Sequence, residues 1–333
     1  MNPDHLLAAL PTVLAPALGT VEVSNLRALS GGASRSTWAF DADGPDGQRA
    51  LILRCGAGDD LHASMELEAA VQTAAGAAGA PVPRILAADD SPSTLGDPYL
   101  ICEAVPGETI VRRIFRQLDA APHGNGRTGR QRLLTQCAEA LAAIHRADTA
   151  ALGTEAPDQL ALWRAECDAV TPTDEATAPF EWAFRWLAAH RPPDGPPRLV
   201  HGDFRMGNLI VDEDRLTAVL DWELVHLGQP MDDLAWFCIR AWRFGAPAEQ
   251  SAGGLGGIDE FLGAYEGAGG APVDRAAFHW WLVLATLRWG IICRYQAHRH
   301  LSGRARSVEL ATIGRRVAET EWDLLTLLRK AQK

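Results

Sequence analysis

"LVHGDFRMGNLIVDEDRLTAVLDWE", from Leu199 to Glu223, decides how this chain is read. It sets a carboxylate (Asp203), a carboxamide (Asn208) and a second carboxylate (Asp221) around one short hairpin. The runs "RLV" and "NLIV" are apolar and flank a polar loop, and "LTAVLD" reads as a buried strand ending in Asp221. Strands over 208–212 and 216–221, joined by "EDR", bring Asn208 and Asp221 to neighbouring strand ends. Carboxamide and carboxylate oxygens are hard ligands that suit Mg²⁺, which takes few protein ligands together with substrate phosphates. A further carboxylate that the metal does not need can accept a hydroxyl proton. That set is what phosphoryl transfer from ATP requires. The plainer reading, a surface hairpin with solvated acids, leaves the agreement of residue type, order and spacing unexplained.

Upstream of this stretch the pattern is β-rich. "VEVSNLRALS" (21–30), "TWAFDAD" (37–43) and "RALILRCG" (49–56) read as an antiparallel meander with "GG" and "GPDG" at the turns. A helical pattern covers 59–79, and "PVPRILAADD" and "PYLICEAVPGE" supply two more strands. After Pro106-Gly107 helices dominate, over 129–146, 157–170, 176–190, 230–243, 258–266, 274–298 and 304–329. The spacing predicts an α+β chain: a β-rich lobe over 1–104 with a leading helix, and a helical lobe over 105–333. A cleft between two such lobes is a common ligand site.

Composition narrows the function classes. The 333 residues are 47% hydrophobic and 22% charged, which is ordinary for a globular protein of one large or two moderate domains. A formal charge of −11 argues against a nucleic-acid partner or an anionic membrane surface. The cysteines at 55, 102, 137, 167, 238 and 293 stand singly, with no CxxC and no zinc spacing, and are expected as reduced, buried thiols. The N-terminus carries Asp4 and prolines and does not read as a signal peptide. The apolar run "WWLVLATLRWGIIC" is interrupted by Arg288 and is shorter than the roughly 20 residues that span a bilayer. A soluble, cytoplasmic protein, monomer or homodimer, is expected. Lysine occurs only at Lys330 and Lys333, so none is available to chemistry in the body of the chain.

"HGDFRMGN" followed by "VLDWE" resembles the HGDxxxxN…D motif of the aminoglycoside phosphotransferase family, which shares the protein-kinase-like fold. The resemblance implies a two-lobe fold with a five-stranded antiparallel N-lobe carrying one helix and a mostly helical C-lobe. It implies ATP as co-substrate, Mg²⁺ as cofactor and a small hydroxylated molecule as acceptor. Asp203 takes the place of the catalytic base, Asn208 and Asp221 those of the Mg²⁺ ligands, and His201 helps to hold the catalytic loop. Gly202 stands where protein kinases have Arg, so control by activation-loop phosphorylation is not expected. "GQPMDDLAWF" is similar to a family segment in which Asp233 is structural.

The nucleotide side follows the same resemblance. "LSGGASRSTWAF" (29–40) matches a loop whose glycines let backbone N–H groups approach phosphates, which implies Gly31, Gly32 and Ser34 as phosphate contacts. Arg35 stands where Asn is usual. Arg54 takes the place of the third-strand lysine; a guanidinium can hold phosphate bidentately. Its partner on the following helix is Glu68, with Glu66 as the alternative pointing in another direction. "YLICEAVPG" is the implied hinge, with backbone groups from Glu103 to Val105 meeting adenine.

The chain looks most like the branch found beside or fused to acyl-CoA dehydrogenases, which the long ending "HLSGRARSVELATIGRRVAETEWDLL" also resembles. That shifts weight from an antibiotic toward an endogenous hydroxylated metabolite, such as a hydroxyacyl-CoA, as acceptor, while the net charge of −11 points the other way, so both acceptor classes stay open from the sequence. Arg240, Arg243, Arg288 and Arg294 are candidate contacts to an anionic acceptor, although each alone reads first as a paired or surface arginine. The tryptophans at helical spacing and His145 read first as core. A non-catalytic nucleotide-binding pseudokinase is the competing class.

Overall fold

The computed structural model describes residues 2–29, 35–56, 62–91, 94–121, 126–153, 156–170 and 178–330. The chain divides into two compact units, Met1–Thr154 with Arg198–Leu227, and Glu155–Pro197 with Gly228–Lys333.

The first unit begins with α1 (Pro3–Leu18), capped by Asn2, whose side chain accepts from the Asp4 N–H. Strands β1 (Glu22–Leu29), β2 (Ser36–Gly44) and β3 (Gly47–Cys55) form the expected meander. Helix α2 (Met65–Ala77) follows, then β4 (Ile85–Asp89) and β5 (Tyr99–Glu103). The sheet is antiparallel throughout, in the order β1-β2-β3-β5-β4.

Alternation along β3 decides what each face does. Leu51, Leu53 and Cys55 pack with Leu6, Leu10 and Leu14 of α1 and with Phe40 and Ile101. Each such buried leucine contributes roughly 1.5–3 kcal/mol. Ile52 is on the other face, packed with Met65 and Ala69 of α2 and with Leu100 and Cys102. Arg54 shares the Ile52 face and is thereby aimed at α2. The helix expected over 59–79 starts only at Met65, because the Ser64 side chain accepts from the Leu67 N–H and caps it there.

Beyond β5, Gly107 has φ +141°, and a Cβ there would lie 2.6 Å from Ile210 Cγ2 and 3.0 Å from the Val211 carbonyl oxygen. Only glycine lets the connector lie this close. Glu108 and Val211 then exchange both backbone hydrogen bonds, at 2.8 and 3.0 Å. Helix α3 (Val111–Ala120) buries Val111, Ile114, Phe115 and Leu118, a one-sided stripe not picked out from the sequence. Helix α4 (Gly129–Ile144) starts at a capping box of Thr128 and Gln131. The unit closes with β6 (Arg198–Val200) and the hairpin of β7 (Leu209–Asp212) and β8 (Arg215–Val219). A short β9 (His226–Gly228) pairs with β6, a strand pair the sequence reading did not anticipate.

The second unit is helical: α5 (Gln159–Val170), α6 (Ala178–Ala189), α7 (Met231–Cys238), α8 (Ile258–Gly267), α9 (Arg275–Leu301), α10 (Val308–Gly314) and α11 (Val317–Lys330). The helix expected over 230–243 breaks at Ile239, whose ψ of 150° is extended, and Arg240–Arg243 form a separate 3₁₀ turn. Helix α9 is long and apolar enough by length and composition to cross a membrane, and 72% of its apolar window is buried within the protein.

Candidate active site

The loop from His201 to Asn208 is held by its own polar groups. The His201 ring is fully buried, near perpendicular to Phe204 at 6.0 Å and tilted against Trp222 at 4.7 Å between ring centres. Its Nδ1 accepts from the Asp203 N–H at 3.1 Å, and its Nε2 lies 3.1 Å from the Leu220 carbonyl oxygen. These partners require the proton on Nε2 and a bare Nδ1, so one neutral tautomer ties the loop to the residue before Asp221. Gly202 has φ +83° and a Cβ there would lie 2.2 Å from the Leu224 carbonyl oxygen, so this turn tolerates no side chain.

Asp203 and Asn208 are in direct contact. Asn208 Nδ2 donates to Asp203 Oδ2 at 2.7 Å and to the Asp203 carbonyl oxygen at 3.0 Å. Both amide hydrogens are thereby used, and the carboxamide Oδ1 accepts nothing among the described residues. The Asn208 carbonyl oxygen accepts from the Leu220 N–H at 2.8 Å. Leu220 is thus bracketed by Asn208 and His201, and Asp221 projects from that anchored point. Asp221 has φ +66°, an uncommon left-handed backbone for a side chain other than glycine. Arg205 donates from Nε to both Asp203 oxygens at 3.1 Å, a contact that sequence reasoning did not single out.

Four charged side chains form a second chain of contacts. Arg54 Nη1 donates to Glu68 Oε2 at 2.7 Å, and Arg54 Nη2 donates to Asp221 Oδ1 at 3.0 Å. Among the described residues, Asp221 Oδ2 has no partner. Glu68 is 1% exposed. Glu66 points away, exposed, and lies against Asp90. Arg35, buried, donates to the other Glu68 oxygen, Oε1, and to the Ala63 carbonyl oxygen at 2.6 Å.

Glu223, two residues past Asp221, joins this group. Its carbonyl oxygen accepts from the Ala63 N–H at 2.7 Å, and its carboxylate lies 3.6 Å from His62 Nε2. Burial, and after it the charge of Asp221, push its carboxyl above the usual range, with His62, Arg54 and Arg35 pulling the other way.

Gly31, Gly32 and Ser34 lie outside the described residues. At the expected hinge, the Glu103 N–H donates to the Arg84 carbonyl oxygen at 2.9 Å, and its carboxylate takes Arg49 at 2.9 Å. The Ala104 N–H donates to the Ala50 carbonyl oxygen. Val105 is half-buried, and among the described residues no backbone hydrogen bond engages it.

The second unit holds the remaining candidates. Arg288 is buried, donates to Asp232 Oδ1 at 3.2 Å and lies 4.3 Å above the Trp236 ring. Arg240 pairs with Asp323 at 2.8 Å, and Arg294 sits over Phe180 at 5.1 Å. Burial lowers the pKa of Arg243. Asp233, Trp236, Trp280 and Trp281 are buried in this unit, and His145 is buried at the end of α4.

Comparison with known proteins gives a consistent picture. The family model described as "Phosphotransferase enzyme family" (APH) matches residues 25–279. Acyl-CoA dehydrogenase family member 10 of Mus musculus is 28% identical over 303 residues, covering 84% of this chain and 27% of that protein. Across the curated acyl-CoA dehydrogenase relatives, the matched part is between 22% and 34% of their length. A Ralstonia eutropha protein assigned as an aminoglycoside phosphotransferase superposes with a TM-score of 0.73 at 23% identity, over 97% of this chain and 98% of that one. A thermostable APH(4)-Ia in ternary complex with AMP-PNP and hygromycin B does so with a TM-score of 0.61 at 20% identity, over 96% of this chain and 98% of that one. These likenesses are to the aminoglycoside phosphotransferase, kinase-like fold. The chain belongs to the APH phosphotransferase enzyme family.

Proposed function

We propose that this protein is a kinase that transfers the γ-phosphoryl group of Mg·ATP to a hydroxyl of a small molecule. The observation that carries the reading is the contact of Asn208 with Asp203, which fixes a carboxylate and a carboxamide oxygen side by side in one loop. Asp203 orients the acceptor hydroxyl and takes its proton as the bond to phosphorus forms. A positioned base of this kind contributes about 10²–10⁴-fold. Arg205 holds the Asp203 carboxylate in place from the side. His201 keeps the loop and Asp221 in register through its two hydrogen bonds.

The donor set fits magnesium. Asn208 Oδ1 and Asp221 Oδ2 are hard oxygens without protein partners among the described residues, and no group of three His, Cys, Asp or Glu gathers there to form an all-protein cage. Mg²⁺ favours that arrangement, with waters and phosphate oxygens completing its shell. When bound, the ion offsets the charge that develops on the β- and γ-phosphates. Arg54 presents its guanidinium to the same phosphates. In this reading adenine meets the Val105 backbone, which no backbone hydrogen bond engages among the described residues, whereas the Glu103 N–H is committed to the Arg84 carbonyl oxygen.

The names of curated relatives such as acyl-CoA dehydrogenase family members 10 and 11 favour a hydroxyacyl-CoA or related hydroxylated metabolite over an antibiotic as acceptor. APH(4)-Ia, seen with hygromycin B, represents the other class. The test has two stages. Saturating Mg·ATP, at about 100 times its Kd, raises the stability of the folded chain by about 2.7 kcal/mol, read as a thermal shift. ATP consumption is then measured against aminoglycosides, macrolides and hydroxyacyl-CoAs. Binding of Mg·ATP with no acceptor-dependent turnover across all classes would favour the non-catalytic reading.

A further inference from the structure

Glu68 is a charged group at 1% exposure. A buried carboxylate is costly unless its oxygens are held by charged donors. Here two arginines divide them, Arg54 on Oε2 and Arg35 on Oε1. Arg35 is itself 7% exposed, and its second nitrogen holds the Ala63 carbonyl oxygen, just ahead of the Ser64 cap of α2. The register explains the convergence. Thr37 pairs with Arg54 across β2 and β3, and Arg35 lies two positions before Thr37. Strand alternation therefore sets both guanidiniums on the α2 face of the sheet.

Counting charges shows what the second arginine changes. Arg54 alone faces two carboxylates, Glu68 and Asp221. An isolated Arg54–Glu68 pair is neutral and offers little to a polyanion. With Arg35 added, the trio of Arg35, Glu68 and Arg54 carries one net positive charge, which Asp221 no longer cancels once a cation occupies that carboxylate. We propose that Arg35 is a positioning residue of the nucleotide site: it neutralises Glu68 from behind, so that the charge of Arg54 is directed to the phosphates. This rests on the Mg·ATP reading above, and it accounts for an arginine at a loop position where the family usually has asparagine.

The test is calorimetric titration of the full chain with Mg·AMP-PNP, for the natural protein and for R35Q, R35K, E68Q and R35Q/E68Q. Failure of the natural protein to bind would defeat the nucleotide reading itself, whatever Arg35 does. Given binding, R35Q is expected to raise Kd about tenfold or more, in keeping with loss of a charge-assisted contact. R35K keeps the charge beside Glu68 and gives up only the fork to the neutral Ala63 carbonyl oxygen, and is expected to stay within about threefold. In the E68Q background, R35Q is expected to change Kd less than about twofold, because the partner through which Arg35 acts is gone. A purely structural Arg35 would lower Tm and leave Kd of the folded protein unchanged, which would overturn the proposal. An undiminished loss in the E68Q background would overturn it too, since Arg35 would then touch the nucleotide directly. Should R35Q fail to fold, R35M takes its place: a Kd raised about tenfold supports the proposal and an unchanged Kd overturns it, while R35Q/E68Q against E68Q still tests for direct contact with the nucleotide.

Discussion

Arg54 reaches Asp221 across 167 positions of sequence, with Nη2 3.0 Å from Oδ1, while its Nη1 holds Glu68 at 2.7 Å. One planar fork thus joins β3, α2 and the residue two past the end of β8. A lysine has a single head and cannot span both carboxylates in this way. Arg54→Lys is expected to keep the fold and weaken Mg·ATP binding by about tenfold, a loss of about 1.4 kcal/mol. Arg54→Ala should weaken it further while Arg35 still covers Glu68. Equilibrium titration with Mg·AMP-PNP measures both, and an unchanged Kd in Arg54→Ala would remove this residue from the nucleotide site.

Asp203 is half-buried, and its carboxylate is bracketed by Asn208 and Arg205. Asparagine has the same shape without the capacity to take a proton at neutral pH. Asp203→Asn is therefore expected to lower kcat by at least about 10²-fold and to leave Mg·ATP affinity within a few-fold. Near-normal turnover in this variant would show that another group accepts the proton.

The strands were legible in the sequence because period-two alternation is strong in "RALILRCG", and the register then follows from the short turns at Gly44 to Gly47. The motif loop was legible because its polar residues have fixed order between apolar strands. What escaped reading depended on contacts distant in sequence. Helix α3 has a clean apolar stripe, but it is rich in arginine and opens without a side-chain cap. The acids at 59–60 resemble a first turn and draw the expected start of α2 forward, whereas Ser64 supplies the cap. Arg35 showed only as a departure from a loop pattern; alternation from Thr37 could have set it on the Arg54 face, but its bond to Glu68 needs α2 in place. The contact of Arg205 with Asp203 has no periodic signal at all.

Gly202 offers a test of how tightly the motif loop is built. Its φ of +83° is unfavourable for any L side chain, and a methyl group would stand 2.2 Å from the Leu224 carbonyl oxygen and 2.9 Å from its carbon. Backbone atoms cannot move aside as a flexible side chain does. Gly202→Ala is expected to cost about 2–4 kcal/mol, combining left-handed strain with a hard contact. Thermal denaturation reads it directly, and a loss below about 0.5 kcal/mol would mean that the loop adopts another conformation.

The cysteines give a prediction for the fold independent of any ligand. All six are buried. Burial is the leading cause that pushes Cys102 up to about 11, and Cys55 and Cys293 up to about 12, from an ordinary 9.0; the charge of Asp97 adds to the rise at Cys55. Burial raises Cys137 and Cys238 as well. The folded state therefore favours the protonated thiols. That contribution is complete below pH 9 and shrinks as the pH climbs from 9 towards 11–12, because only the unfolded chain ionises freely there. The urea midpoint is expected to fall as the pH is raised from 9 to 11. At pH 8 a thiol reagent should modify the native chain only as fast as it opens, and all six thiols promptly in denaturant. Rapid modification of Cys102 in the native protein would contradict the packing of the α2 face, because that thiol lies in the buried cluster it forms with Met65, Ala69 and Leu100.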